Sequence, residues 1–189
     1  MDWIFVLSQI FVVVEYGLLG LSYLAKKRRM VVTLDIASMA AGIVAFLLLG
    51  ADIGMAMSVV VLLANFYYLW DEQKHGKRQR YFPLDFVVLV IVLLAIGGLA
   101  VLTYDGPLSL LSVFATVLYE ISIWQKSTKV YKLLGIPVAG GWMLYNGFVG
   151  SPFGVACELV LLITSTVGYM REVRSKKKSR RRQKARRRK

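Results

Sequence analysis

The placement of the basic residues constrains this chain more than any other feature. Its 24 Lys and Arg fall in four groups: Lys26 to Arg29; Lys74, Lys77, Arg78 and Arg80; Lys126, Lys129 and Lys132; and Arg171 to Lys189. Between consecutive groups lies an apolar length that would cross a bilayer twice, broken by a short turn without positive charge: Gly50 to Asp52, Tyr104 to Pro107, and Phe148 to Pro152. Positive charge is retained on the cytoplasmic face during insertion. The pattern therefore predicts seven spans, N-terminus outside and C-terminus inside, with Asp52 and Asp105 in the outer turns.

The predicted spans are Trp3 to Leu24, Met30 to Leu49, Ile53 to Trp70, Leu84 to Thr103, Leu108 to Trp124, Val130 to Gly147 and Phe153 to Met170. With 57% hydrophobic residues and a mean hydropathy of +0.60, these runs approach the ~20 residues that cross ~30 Å of hydrocarbon. All are expected to be helices: an isolated strand cannot satisfy its backbone in lipid, and the period-two alternation of a barrel is absent. The first run has no basic n-region, its only early charge being Asp2. It therefore reads as an uncleaved span, not a secretory signal.

A formal charge of +13 would suggest nucleic acid if it were spread over the chain. Residues 171–189 alone carry 13 basic residues against one acid, Glu172, so the excess belongs to the tail. Runs such as Lys176, Lys177, Lys178 and Arg180, Arg181, Arg182 predict a disordered cytoplasmic tail lying on anionic lipid. RNA contact lacks the aromatic interleaving or folded module that would support it. One cysteine, Cys157, and one histidine, His75, can build neither an internal disulfide nor a His/Cys metal centre. No metal or cofactor is expected.

Sliding the sequence against itself exposes an ungapped repeat at an offset of 100, pairing Gly50 with Gly150, Gly54 with Gly154, Lys26 with Lys126 and Glu72 with Glu172. The repeat predicts a 3+1+3 plan. Residues 1–72 form the first three-helix unit; 73–107 hold a cytoplasmic loop, a linker helix and an outer turn; 108–172 form the second unit; and 173–189 are the tail. An odd linker helix inserts both units in the same direction, so they are parallel repeats.

The most informative local stretch is Trp142-x-x-Tyr145-Asn146-x-x-x-Gly150-Ser151-x-x-Gly154-x-x-x-Glu158, closed downstream by Arg171. Trp142, Tyr145 and Asn146 share one face of the sixth span, and Ser151, Gly154 and Glu158 one face of the seventh. A short turn lets the faces meet, with Asn146 expected to hydrogen-bond Glu158. This motif resembles the signature of the YgjV family of bacterial inner-membrane proteins, over about residues 3 to 172. That family is similar to the SWEET sugar transporters and their PQ-loop relatives, including the KDEL receptor. The resemblance implies alternating-access transport, with the substrate between the two repeats near mid-membrane. The Pro-Gln dipeptide of the PQ-loop proteins is absent; the mid-span proline here is Pro137.

Acids in lipid cost ~2.5 to 3.5 kcal/mol each on insertion scales when charged, so they should face protein or water. Glu158 reads either as a hairpin clamp or as part of a solute or proton site. Glu15, near the middle of the first span beside Gly17 and Gly20, is the best candidate for proton coupling, against a neutral packing role. Asn65 and Ser165 occupy equivalent repeat positions and are expected, with Asn146, Trp142, Tyr145 and Glu158, to line a pocket. Gly50, Gly54, Gly150, Ser151 and Gly154 read as turn and close-packing residues. Asp35 is expected to pair with Arg28 or Arg29, Asp85 to favour a helix N-terminus, and Glu120 to pair with Lys126 or snorkel. Tyr67, Tyr68, Trp70, Tyr81, Phe82 and Trp124 read as interface anchors.

No Ser/His pair, facing aspartates, phosphate loop or dinucleotide turn is visible, which excludes an enzyme on motif grounds. The leading expectation is a transporter of a small polar solute. The alternative is a non-transporting membrane scaffold that binds lipid or a partner protein through the basic tail.

Overall fold

The computed structural model describes residues 3–50, 52–75, 83–104 and 106–187, with the side chains of 52–54, 75, 83 and 176–187 outside that description. Among the described residues the chain is all helical: α1 (Trp3–Leu24), α2 (Arg28–Leu49), α3 (Asp52–His75), α4 (Pro83–Leu102), α5 (Ser109–Trp124), α6 (Thr128–Phe148) and α7 (Pro152–Arg187). Each expected span has its helix. The expectations for Asp105, Tyr81, Phe82, Lys77, Arg78 and Arg80 lie outside the described residues, as do those for the side chains of Asp52, Gly54 and the basic residues from 176 on.

Among the described residues four helices are long and apolar enough to cross a membrane: α1, α2, α4 over Leu84–Leu102, and α7 over Pro152–Ser175. The 16-residue α5 is apolar but shorter. Large apolar side chains such as Leu63, Leu94, Val101 and Leu102 are exposed, while Asp35, Asn65, Glu120 and Ser165 are fully buried. That inversion follows from a lipid surround, where tails solvate Leu as well as a core does and polar groups must find partners inside.

Short connections force antiparallel neighbours. Each helix packs on the next in the chain, and α7 closes on α1, so the seven form a ring. A minor contact joins α3 to α5 past α4. One end of the ring carries the Gly50 and Gly150 turns. The other carries the 25–27 and 125–127 turns, where Lys126 bonds Asp71 at 2.6 Å and Asp85 at 2.8 Å.

The expected disordered tail is not what forms: α7 continues as helix to Arg187. After Gly168 the segment has no Gly or Pro and is dominated by Arg, Lys, Glu, Gln and Ala, which are good helix formers. A helix already begun within the bundle extends through them without a new nucleus.

Candidate functional site

The α6–α7 turn explains the motif around residue 150. Gly150 takes φ 72°, a left-handed conformation that a Cβ would strain. Its N–H bonds the Gly147 carbonyl, and Ser151 N–H bonds the Asn146 carbonyl at 2.9 Å; together these are the two bonds of a Schellman cap. Ser151 Oγ then accepts the Gly154 N–H at 3.3 Å, and Pro152 opens α7, the residue pair expected at a helix N-cap and first position. One helix ends and the next begins with no spare residue. Gly50, at φ 66°, caps α2 in the equivalent turn.

This tight hairpin sets Asn146 on Gly154. A Cβ on Gly154 would lie 2.5 to 3.0 Å from the Asn146 amide atoms. The Asn146 amide donates to the Trp142 carbonyl at 2.9 Å, not to Glu158 as the sequence suggested. Side-chain bonding back to the preceding turn is the shorter reach, and it leaves Glu158 to another helix. Tyr16 Oη of α1 donates to Glu158 Oε1 at 2.9 Å, while Oε2 is buried without a hydrogen-bond partner.

Between α1 and the other helices lies a cavity of about 560 Å³. From α1 it is lined by Gln9, Val12, Tyr16, Leu19 and Tyr23, a 3-4-3-4 spacing that keeps one helical face turned inward. Glu15 flanks this stripe and lines the cavity too. Its carboxyl group lies against Gly42, where a Cβ would meet it at 2.6 to 2.9 Å, and Ser38 Oγ donates to its backbone carbonyl at 2.9 Å. Trp142, Asn146 and Glu158 complete the facing wall from α6 and α7. The cavity reaches Ser151 and Phe153 at the glycine-turn end and descends to Tyr23 and Tyr119.

Below it, a buried polar network closes the bundle. Asn65 donates to Asp35 Oδ2 at 2.7 Å, Tyr131 Oη donates to Asp35 Oδ1 at 3.4 Å, and Tyr131 shares a 2.7 Å hydrogen bond with Ser22. The Tyr131 ring stacks on Tyr23 with centroids 4.9 Å apart. Asp35 therefore does not pair with Arg28; the Arg28 guanidinium donates to the Ile123 carbonyl instead. Eight residues into α2, the Asp35 side chain points into the ring, where the tyrosines and the amide offer bonds without a second charge.

Several site expectations divide accordingly. Trp142, Asn146, Glu158 and Glu15 line one cavity. Tyr145 stands behind, edge-on to Trp142 at 5.7 Å. Asn65 is held in the Asp35 network, and the Ser165 hydroxyl donates within its own helix to the Leu162 carbonyl at 3.1 Å; neither lines the cavity. Asp85 does sit in the first turn of α4, where it also accepts from Tyr67 at 2.9 Å. Glu120 is not paired with Lys126 and does not snorkel: it is fully buried with both carboxyl oxygens unpartnered. The Lys126 ammonium is bonded instead to Asp71 and Asp85. Sequence reasoning missed Tyr23 and Tyr131 as site residues, though Tyr16 and Tyr23 at seven-residue spacing signal one inward face. Among the described residues no group of three or more His, Cys, Asp and Glu could hold a metal ion.

Apolar helices closed in a ring around an acid-bearing cavity define a polytopic helical membrane protein. The chain belongs to the Imp-YgjV family of bacterial inner membrane proteins, whose family model matches residues 6–176, and it is a multi-pass protein of that membrane. No curated protein and no solved structure matches it.

Proposed function

We propose that this protein carries a small polar solute across the inner membrane by alternating access, without ATP hydrolysis. The observation that carries this reading is Glu158: a carboxyl oxygen 97% removed from solvent with its residue, unpartnered, in the wall of a solute-sized cavity. Structural clamps satisfy their polar groups. A group left open on a cavity is one that a ligand completes, and acids inside membrane bundles mark such pathways.

In this reading all seven helices span, in a SWEET-like 3+1+3 arrangement of parallel repeats with the N-terminus outside. Two features support the repeat: the equivalent turns at Gly50 and Gly150 share a left-handed φ, and the α1–α7 and α5–α3 contacts exchange under it. The cavity then faces outward, and the Tyr23, Tyr131, Asp35 and Asn65 network forms the inner closure. Glu15 and Glu158 bind and release the coupling proton. Solute flux into proteoliposomes tests the reading: Glu158→Gln and Asn146→Ala should abolish it in folded protein, and deletion of residues 176–189 should leave it intact. Full activity in both point variants, or loss only on tail deletion, overturns it in favour of a tail-mediated scaffold.

A further inference from the structure

The cavity wall has a one-sided chemistry. Glu15 and Glu158 line it, and among the described residues no Lys, Arg or His does. Six aromatic rings share the wall: Tyr16, Tyr23, Phe46, Tyr119, Trp142 and Phe153. Most of the remaining lining is aliphatic or thioether, from residues such as Val12, Leu19, Met39 and Met57.

Two of the polar groups at the Glu158 end of this wall are already engaged, while Gln9, Ser58, Thr116 and the unpartnered Tyr119 hydroxyl also line it. The Asn146 amide N–H is given to Trp142, and Ser151 Oγ is taken by the Gly154 N–H. Glu158 Oε1 is taken by Tyr16, which leaves Oε2 buried and open. An anion would meet two acids and no cation. A bare metal ion needs several oxygen ligands converging at once, and an aromatic wall does not supply them. A proton on Oε2 only converts an unpartnered acceptor into an unpartnered donor.

One chemical class answers all of these features. We infer that the cavity binds a monovalent organic cation with an aromatic or alkyl body, its ammonium on Glu158 Oε2 within reach of Glu15 and its body among the rings. This inference rests on the proposed function and specifies its solute. The ammonium completes the open carboxyl oxygen and neutralises the acid. The faces of Trp142 and the tyrosines attract the positive end further. The volume falls within the ~300 to 1,000 Å³ usual for small-molecule sites.

The test uses the full chain purified in detergent with three probes of similar shape and different charge: phenethylammonium, 2-phenylethanol and phenylacetate. Phenethylammonium should raise the melting temperature in a saturable way, with at least tenfold higher apparent affinity than either of the others. Glu158→Gln should weaken its binding tenfold or more. A second measurement needs no variant: dicyclohexylcarbodiimide, which labels carboxyl groups in apolar surroundings, should modify Glu158 in the wild type, and phenethylammonium should suppress that adduct several-fold by peptide mass spectrometry. Equal stabilisation by the alcohol or the anion overturns the charge assignment and leaves the solute-transport reading standing. Stabilisation by the cation that survives Glu158→Gln and gives no protection of Glu158 places the ion elsewhere and also overturns it. No response to any of the three overturns it as well, whereas the transport reading itself falls only if flux survives in the point variants.

Discussion

Tyr16 of α1 donates its hydroxyl to Glu158 of α7 across 2.9 Å, joining residues 142 positions apart at the seam where the helix ring closes. It is the described hydrogen bond to the Glu158 carboxyl group. Tyr16→Phe should therefore leave a second buried carboxyl oxygen unpartnered and cost about 1–3 kcal/mol. Melting of the detergent-solubilised protein reads this directly. Combined with Glu158→Gln in a double-mutant cycle, the two losses should be non-additive by about 0.5–3 kcal/mol. Strict additivity would mean that the bond contributes nothing to closing the ring.

Close approach at Gly42 gives a second expectation. A methyl group there would sit 2.6 to 2.9 Å from the Glu15 carboxyl atoms, so Gly42→Ala must displace Glu15 or spread α1 from α2. Because the atoms met are the far end of a flexible side chain, Glu15 can turn aside, at a cost of about 0.5–1.5 kcal/mol. Gly140, in α6, has open space at the Cβ position, and Gly140→Ala should be neutral or slightly stabilising because alanine is the better helix former. A loss of equal size at both positions would show that helix propensity, not the contact with Glu15, sets the effect.

The inner network makes a third. Tyr131→Phe removes the hydroxyl that bonds both Ser22 and Asp35 but keeps the ring stacked on Tyr23. It should lower stability by about 1–3 kcal/mol. Tyr131→Leu should lose about 0.5–1.5 kcal/mol more with the ring pair. Equal stability of the Phe variant and the wild type would assign the whole effect to packing.

The helices were legible because charge and hydropathy vary along the chain, and a bilayer reads that single dimension. The α6–α7 hairpin was legible for a similar reason: Gly150, Ser151 and Pro152 act on backbone atoms a few residues away. The inward face of α1 was missed, although Gln9, Val12, Tyr16, Leu19 and Tyr23 fall at helical spacing. Partner choice was not legible. Asp35 lies seven residues from Arg28 along one helix, which suggested a local ion pair, yet its partners Asn65 and Tyr131 come from 30 and 96 residues away. The same local logic offers Glu120 either Lys126 or the membrane interface, and it meets neither. Periodicity gives the face a residue occupies but not the helix that face meets. The ring order, with α7 against α1, decided which acids reached the cavity and which were buried elsewhere.

Lys126 provides the sharpest test of the basic end. It bonds Asp71 at 2.6 Å and Asp85 at 2.8 Å, with the aspartate side chains only 5% and 1% exposed. Burial alone would weaken the charge on Lys126, but the hydrogen bonds and charges of Asp71 and Asp85 outweigh it and hold the ammonium above its ordinary value of 10.5. Because the folded value is the raised one, its contribution to stability is complete below the ordinary lysine value and is lost as pH climbs through the folded value. Stability attributable to Lys126 should thus stay constant from pH 7 to about 9, well below that ordinary value, and fall only in stronger alkali. Lys126→Met removes the shared cation from two buried carboxylates and should cost about 3–5 kcal/mol. Its repeat equivalent, Lys26, is exposed, so Lys26→Met should change stability by no more than about 0.5 kcal/mol. Melting curves of the two variants between pH 7 and 11 separate these cases. Equal, small losses at both positions would reduce the Lys126 cluster to a topological charge with no structural role.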